Sequence, residues 1–302
     1  MEFRPLRYFV AAAEMQNIAK AAERLNVSQP PVSRQMRALE HELGADLFLR
    51  TTRGVELTDA GERFLRDARR LLSDADAARN AAKAASRGEI GQLNIAFFGS
   101  SIYRAVPLAL KALKEAHPDV SVTLSRIEKT QQINALRAGQ IDVGFGRYYA
   151  SDADMEVATL AREPFLVALS LNDPSAEADV LTPAELVRRP LFLFPRQGRP
   201  NFADHVVTML SDQEIALDVA GEAEDATSAL ALVAHEAGRC LVPASVSALR
   251  FPGIRFVPLV GTDATIPVNY IYRPADPNPA LKLFLNLLER IEAIPDWYTS
   301  EA

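Results

Sequence analysis

Between residues 58 and 87 the apolar side chains follow a single repeat. Phe64, Ala68, Leu71, Ala75, Ala78, Ala82 and Ala85 are spaced 4-3-4-3-4-3, which is a heptad seam, and Leu65 and Leu72 widen it at its start. Read as one helix, the segment is about 45 Å long at ~1.5 Å per residue. A lone helix of that length cannot bury its own apolar stripe. It packs either on its own chain or on a second copy, and the expectation is a homodimer helix. Gly88 and Gly91 mark a hinge after it, and a length of 302 residues leads one to expect about two domains, one on each side.

The two parts differ in charge. Residues 1–90 carry fifteen Lys/Arg against thirteen Asp/Glu, and the remainder carries eighteen against twenty-six. The whole chain of 302 residues has a formal net charge of −6, so bulk charge gives no sign of a polyanion binder. Any such role has to come from a local surface. Cys240 is the single cysteine, which excludes an internal disulfide and most cysteine-built metal sites. Met1–Tyr8 carries Glu2, Arg4 and Arg7 and no apolar core, and no apolar run nears the ~18 residues of a membrane span. The expectation is a cytoplasmic chain with a reduced thiol, no membrane partner and no metal.

The first part reads as short helices. Leu6, Phe9, Val10 and Ala13 share one helix face after Pro5. Asn17 suits the cap of a second helix with Ile18, Ala21, Ala22 and Leu25 inward. Pro30 and Pro31 fit the first turn of a third, where backbone N–H groups lack partners in any case. Val32, Met36, Leu39 and Leu43 form its inner stripe and Gly44 ends it. Two short β-type runs, Asp46–Arg50 and Val55–Leu57, then flank a turn at Thr51–Gly54.

On a wheel at about 100° per residue, Pro30, Ser33, Arg34 and Arg37 lie opposite the apolar stripe of that third helix. From Arg24 to Leu39 there are three arginines and no acid. Gln29 can pair with an adenine edge, arginine with guanine or phosphate, and Pro30 with a thymine methyl. Arg53, at the tip of the β-hairpin, is placed to meet a neighbouring groove or backbone. This pattern suits a DNA-reading helix; it also suits a solvated helix face.

From residue 91 the periodicity changes. Leu93, Ile95 and Phe97 alternate as a strand, a helix is expected from about Ser101 to His117, Val120, Val122 and Leu124 form a second strand, Thr130–Ala138 a helix, and Ile141, Val143 and Phe145 a third strand. This βαβαβ order predicts a parallel sheet with right-handed crossovers. A second set follows, with strands near 165–171, 191–195 and 239–243 and helices near 201–213 and 225–237. The strand Ile266–Arg273 and the helix Pro279–Ile294 close the chain. The expectation is two α/β lobes with a cleft between them.

Anions are to be sought in that cleft. Gly99-Ser100-Ser101 and Arg199-Pro200-Asn201-Phe202 each open a helix, where free N–H groups and the dipole favour carboxylates. Arg147 follows the third strand at its carboxyl edge, where α/β ligands bind, and Lys129 opens the next helix on the same edge. Two anion holders in facing lobes, plus cations, suit a small dicarboxylate better than a monoacid. The chain has no nucleophile elbow, no zinc-protease helix and no phosphate loop, and His41, His117, His205 and His235 are scattered. An enzyme would need an unseen arrangement such as Ser100 with His205 or Asp225. A solute-binding protein shares the two-lobed pattern but not the N-terminal helices.

The run Phe3–Leu57, with SQPPVSRQ, LE, LG, LF, RG, LT and AG at fixed intervals up to Gly61, resembles the DNA-binding domain of LysR-type transcriptional regulators. The resemblance extends over the whole chain. It implies a winged helix-turn-helix domain over 1–58, a linker and dimerisation helix with hinge over 59–90, and an effector-binding domain of the periplasmic-binding-protein type over 91–302. In the last, lobe I spans about 91–162 and 267–302 and lobe II about 163–266. It also implies base and phosphate contacts from Gln29, Pro30, Ser33, Arg34, Arg37 and Arg53. The implied partners are double-stranded promoter DNA, three further copies in a dimer of dimers, and RNA polymerase.

The stretches FFGSSIYRAVP, GFGRYY, LFLFPRQGRPNFADHV and EDATSALALV are similar to the subgroup that activates catechol and chlorocatechol degradation. Carried over, the inducer pocket includes Ser100, Lys129, Arg147, Asn201, Phe202 and Ala226. Its ligand is cis,cis-muconate or a chlorinated form, with Lys129 leaving the two open, and no other cofactor is implied. Arg162 matches the arginine of a second, aromatic-acid site in some relatives.

Overall fold

A computed structural model describes residues 2–51, 54–86, 91–235 and 238–291. Two compact units divide the chain. One comprises residues 1–87 with 134–140, and the other 88–133 with 141–302.

In the first unit, α1 (Phe3–Met15), α2 (Ile18–Arg24) and α3 (Gln29–Leu43) precede a hairpin of β1 (Phe48–Thr51) and β2 (Gly54–Leu57), and α4 (Asp59–Ser86) follows. Asn17 caps α2 by accepting from Ala19 N at 2.9 Å and Lys20 N at 3.1 Å. Phe9, Val32, Met36, Leu39 and Leu47 are buried together with Ala68 of α4. The hairpin is pinned to the helices. Val55 N donates to Gln16 O at 3.0 Å, and a Cβ on Gly54, whose φ is +151°, would lie 2.2 Å from that same carbonyl oxygen. Gly61 is needed for a similar reason, since its Cβ would lie 2.1 Å from Leu47 O.

The heptad seam divides within α4. Phe64, Leu65, Ala68 and Leu72 pack into the core of the unit, against α1 among others. Further along, Leu71 is 42% exposed and Ala78 and Ala82 are exposed. The side chain of Ala85 lies outside the described residues.

The second unit, taken with residues 134–140 that group with the first, runs β3 (Gly91–Phe97), a 3-10 turn (Gly99–Tyr103), α5 (Ala105–Ala116), β4 (Val120–Arg126), α6 (Lys129–Arg137), β5 (Val143–Gly146), β6 (Glu156–Glu163), β7 (Phe165–Ser170), α7 (Pro183–Leu186), β8 (Leu191–Leu193), α8 (Phe202–Ser211), β9 (Val219–Glu222), α9 (Ala226–Ala234), β10 (Cys240–Pro243), a 3-10 turn (Ala244–Leu249), β11 (Ile254–Pro258), β12 (Ile266–Tyr272) and α10 (Pro279–Leu288). It has two hydrophobic cores. One is built on the five-stranded sheet β4-β3-β5-β12-β6, around Leu93, Ile95, Val106, Phe145, Val268 and Phe284. The other surrounds β10-β7-β11 and β8-β9, with Phe165, Leu169, Leu193, Phe202, Leu230 and Val242. β3 pairs in parallel with β4 and β5, as the βαβαβ order predicts. The chain passes between the lobes where β6 runs into β7 and where β12 begins; Ile266 is paired with Glu163 at that crossing.

Three features differ from expectation. The helix expected from Ser101 is a 3-10 turn, broken at Arg104 (φ −143°), and α5 starts at Ala105. The cause is Pro107, which in a helix begun at 101 would clash with the carbonyl four residues back, whereas here it falls in the first turn. The second lobe is mainly antiparallel, since β7 pairs with β10 and β11 in that sense, while β8-β9 and the isolated bridges Leu181–Leu259 and Leu191–Arg239 are parallel. The last helix ends at Leu288, short of Ile294, which lies outside the described residues. No helix among the described residues is long and apolar enough to cross a membrane.

Candidate functional sites

α3 carries the first site. Its inner face, Val32, Met36 and Leu39, is buried, while Gln29, Pro30, Arg34 and Arg37 are exposed and Ser33 is half-buried. The split follows from 3.6-residue periodicity, because the apolar stripe must face the core. Neither Arg34 nor Arg37 forms an ion pair with a carboxylate among the described residues, so both guanidinium groups remain available to an external anion. The orientation of α3 is fixed by Glu40, whose Oε1 accepts from Leu47 N at 3.0 Å and Phe48 N at 3.1 Å. That link couples the helix to the hairpin, and it joins residues seven and eight positions apart across a turn, outside any periodic pattern. Arg24 is not on offer, since it is bonded to Glu14 at 2.8 Å. Arg53 lies outside the described residues.

The second site is a cleft of about 570 Å³ in the second unit, within the ~300–1,000 Å³ range of small-molecule pockets. It lies beyond the carboxyl ends of the parallel strands, where adjacent strand ends splay. All six residues expected for the inducer, Ser100, Lys129, Arg147, Asn201, Phe202 and Ala226, line it. Phe97, Phe98, Tyr103 and Phe194 add apolar wall.

The polar groups of the cleft are mutually engaged. Arg147, immediately after β5, donates to Pro267 O at 2.6 Å and Ser100 Oγ at 3.0 Å, and pairs with the carboxylate of Glu163. Glu163 is buried and also accepts from Ser245 N at 2.6 Å. Because Ser100 Oγ accepts from Arg147, its own proton is free to be donated into the cleft. Lys129 is half-buried; burial draws its pKa below the ordinary lysine value, and Asp204 partly offsets this. Asn201 caps α8 reciprocally with Asp204, and its Nδ2 donates to Pro195 O at 3.0 Å and Gln197 O at 3.1 Å. Its amide therefore shapes the 194–200 segment. Phe202 stacks on Phe165 at 5.8 Å, and Ala226 opens α9 behind its cap Asp225.

Sequence reasoning missed Arg126 and Glu163. Arg126 ends β4, is 65% exposed, lies 5.9 Å over the Phe98 ring and reaches Asp225 at 4.0 Å. It was findable as a charged residue at a strand's carboxyl end. Glu163 was not, because its strand was not read. Arg162, the arginine matched to a second site, follows Ala161 on β6 and lies outside this lining. Among the described residues no group of His, Cys, Asp and Glu is placed to hold a metal ion.

Two family models match. Residues 3–62 match the bacterial regulatory helix-turn-helix protein, lysR family, and residues 86–292 match the LysR substrate binding domain. The chain is 44% identical over 288 residues to the HTH-type transcriptional regulator ClcR of Pseudomonas putida, covering 95% of this chain and 98% of that one. Full-length CbnR, solved in complex with its target DNA, is 42% identical with a TM-score of 0.75, covering 96% of this chain and 99% of that one. The effector binding domain of BenM, solved with its effector benzoate, is 27% identical with a TM-score of 0.60 and covers 70% of this chain and 96% of that one.

Proposed function

The chain belongs to the LysR family of transcriptional regulators, and from that premise we propose that it activates an operon for degrading catechol-type or chlorocatechol-type compounds. Its inducer is a small dicarboxylate, cis,cis-muconate or a chlorinated muconate. The observation that carries this reading is the cleft. Aromatic walls suit a flat conjugated carbon chain, and Ser100, Lys129, Arg147 and Arg126 bring donors and positive charge to its strand-end rim. A cleft built of walls and anion holders, on the same chain as a DNA-binding head, suits a sensor rather than a catalyst.

The winged helix-turn-helix of residues 1–58 places α3 in the major groove, with Gln29, Pro30, Ser33, Arg34 and Arg37 toward bases and phosphates and Arg53 at the wing. The linker helix of 59–90 pairs copies of the chain, and pairs assemble into a dimer of dimers in the cytoplasm, with RNA polymerase as the further partner. The ligand acts by preferring one arrangement of the assembly; to move a population from 1:99 to 99:1 that preference must reach ~5.5 kcal/mol.

The test pairs two measurements on the full-length protein. Footprinting on the promoter fragment beside its own gene reports DNA binding. A melting screen with muconates, chloromuconates, benzoate and salicylate reports the inducer, because a ligand at a hundred times its Kd stabilises by ~2.7 kcal/mol. Protection of a defined site with stabilisation by muconates alone supports the reading. Stabilisation by benzoate or salicylate alone replaces the diacid with an aromatic monoacid.

A further inference from the structure

Lys129 is the first residue of α6, and its ammonium spans the cleft. Nζ donates to the carbonyl oxygens of Tyr148 at 3.1 Å, Gly198 at 3.0 Å and Pro200 at 2.6 Å. An ammonium has three N–H donors, so all three are spent. Tyr148 follows β5 in the same lobe as Lys129. Gly198 and Pro200 belong to the segment leading from β8 into α8 of the other lobe. That segment is also tied to its own lobe, by Asn201 Nδ2 and by Arg196 N donating to Ala223 O at 3.0 Å. Lys129 thus fastens one lobe to a loop of the other.

The fastening is poorly matched to the charge it holds. All three acceptors are neutral carbonyls, Asp204 acts on the cation as a charge without bonding it, and the cation belongs to the first residue of a helix, where the macrodipole is itself positive. The bonds to the carbonyls already have a charged donor, but a carboxylate adds to such a bond the attraction of a full opposite charge, which a half-buried site screens less than water does. A carboxylate brought into the cleft is therefore a better partner for Nζ than the loop carbonyls it would replace.

We propose that Lys129 is a bolt between the lobes and the residue that separates an inducer from a mere occupant: the ligand's carboxylate takes the ammonium away from the Gly198 and Pro200 carbonyls, so that anion capture and release of the 195–200 segment are one event. This rests on the reading of the cleft as an inducer site. A diacid can satisfy the Ser100 hydroxyl with one carboxylate and draw the bolt with the other. A monoacid held at Ser100 fills the cleft and leaves the bolt closed. It then binds without switching, because a ligand shifts an equilibrium only by its differential affinity for the two states.

The Arg196–Gln197 peptide bond provides the readout. Arg196 is exposed, trypsin cuts after it, and Pro200 shields the bond after Arg199. The experiment follows tryptic cleavage after Arg196, and hydrogen exchange over 196–203, in the full-length protein. The ligands are cis,cis-muconate and hexa-2,4-dienoate, which has the same six-carbon diene and one carboxylate. Melting temperature reports binding independently. Without ligand, Lys129→Met is expected to speed cleavage about tenfold or more, the effect of losing a single hydrogen bond to a charged group. Lys129→Arg, which keeps a cationic donor, stays within about threefold of the wild type.

Muconate is expected to bring the wild type to the rate of Lys129→Met and to leave that variant's rate unchanged. Hexadienoate is expected to raise the melting temperature without changing the rate. Cleavage of Lys129→Met at the wild-type rate overturns the bolt. Release by hexadienoate, or protection of the segment by muconate, overturns the exchange. If muconate neither stabilises nor releases the protein while Lys129→Met is fast, the bolt stands and the dicarboxylate reading falls.

Discussion

Arg147 and Glu163 face each other as a buried ion pair, with side-chain exposures of 9% and 0%; Arg147 follows β5 and lines the cleft, and Glu163 is the last residue of β6. The cation best placed to hold a ligand carboxylate is therefore already neutralised by the protein. Removing one partner of a buried pair costs ~3–5 kcal/mol, because the other charge is left uncompensated. Glu163→Gln keeps an amide in the same space and removes only the charge. It is expected to lower the melting temperature and, since Arg147 then lacks its counter-charge, to tighten binding of cis,cis-muconate several-fold. Melting curves with and without muconate check both. A variant as stable as the wild type with unchanged affinity would show that the pair contributes neither to the fold nor to the electrostatics of the cleft.

On the DNA-binding unit the contrast between Arg34 and Arg24 is instructive. Arg24 ends α2 and Arg34 lies on α3, but Arg24 is engaged with Glu14 whereas Arg34 is exposed and without a carboxylate among the described residues. Arg34→Ala is expected to weaken specific promoter binding by ~1–3 kcal/mol, about 5- to 150-fold. Arg24→Ala is expected to change stability slightly and DNA affinity little. Titrations at two salt concentrations separate the modes of contact. If Arg34 meets a phosphate, its loss lowers the salt slope by ~1, and if it meets a base edge, operator preference relaxes instead.

The helical head was legible because its signals are local. Asn17, Pro30, Pro31 and Gly44 each act on their own turn, and the stripe Val32, Met36, Leu39 follows one period. The cleft was legible as a set of strand ends, since β3 and β5 alternate and stop at glycines or charges. β6, β9 and β11 were not read. β6 has only Leu160 and Glu163 buried along eight residues, so its pattern is neither alternating nor continuously apolar, and it is a strand because β12 pairs with it. The partners of Lys129 and Arg147 were equally out of reach. Glu163 stands 16 positions from Arg147 in sequence, and Pro200 stands 71 from Lys129, so only tertiary folding joins them.

A second buried charge pair gives a prediction in pH. Arg239 donates to Asp173 through Nη2 at 2.7 Å and Nε at 2.9 Å, and Ser175 N bonds the same carboxylate at 2.8 Å. Burial alone would raise the Asp173 pKa; the bonds from Arg239 and Ser175 outweigh it and hold the group below the usual carboxylate value. The folded pKa lies below the unfolded one, so the contribution to stability is present above the unfolded value of ~3.9 and is lost as pH falls toward the lower folded value. Asp173→Asn is expected to lower stability at neutral pH by ~3–5 kcal/mol and to flatten the acid limb of the stability profile below pH ~4. Denaturant melts across pH 2.5–7 (an interval set by those ~3.9 and neutral limits) measure both. A parallel acid limb in the variant would remove Asp173 as the group responsible.

Adjacent leucines on α4 separate folding from assembly. Leu72 is half-buried against the core of its own unit, whereas Leu71 is 42% exposed on the stretch of the seam that its own chain leaves uncovered. A carboxylate in a folded core costs several kcal/mol, while the same group on a solvated face costs little until a second helix covers it. Leu72→Asp is therefore expected to lower the melting temperature of the protein even when dilute. Leu71→Asp is expected to leave the melting temperature of the dissociated chain within a few degrees and to shift sedimentation toward smaller species. Sedimentation velocity over a concentration series, paired with melting curves, distinguishes the two. If Leu71→Asp sediments as the wild type does, the exposed half of the seam is not where copies of this chain meet.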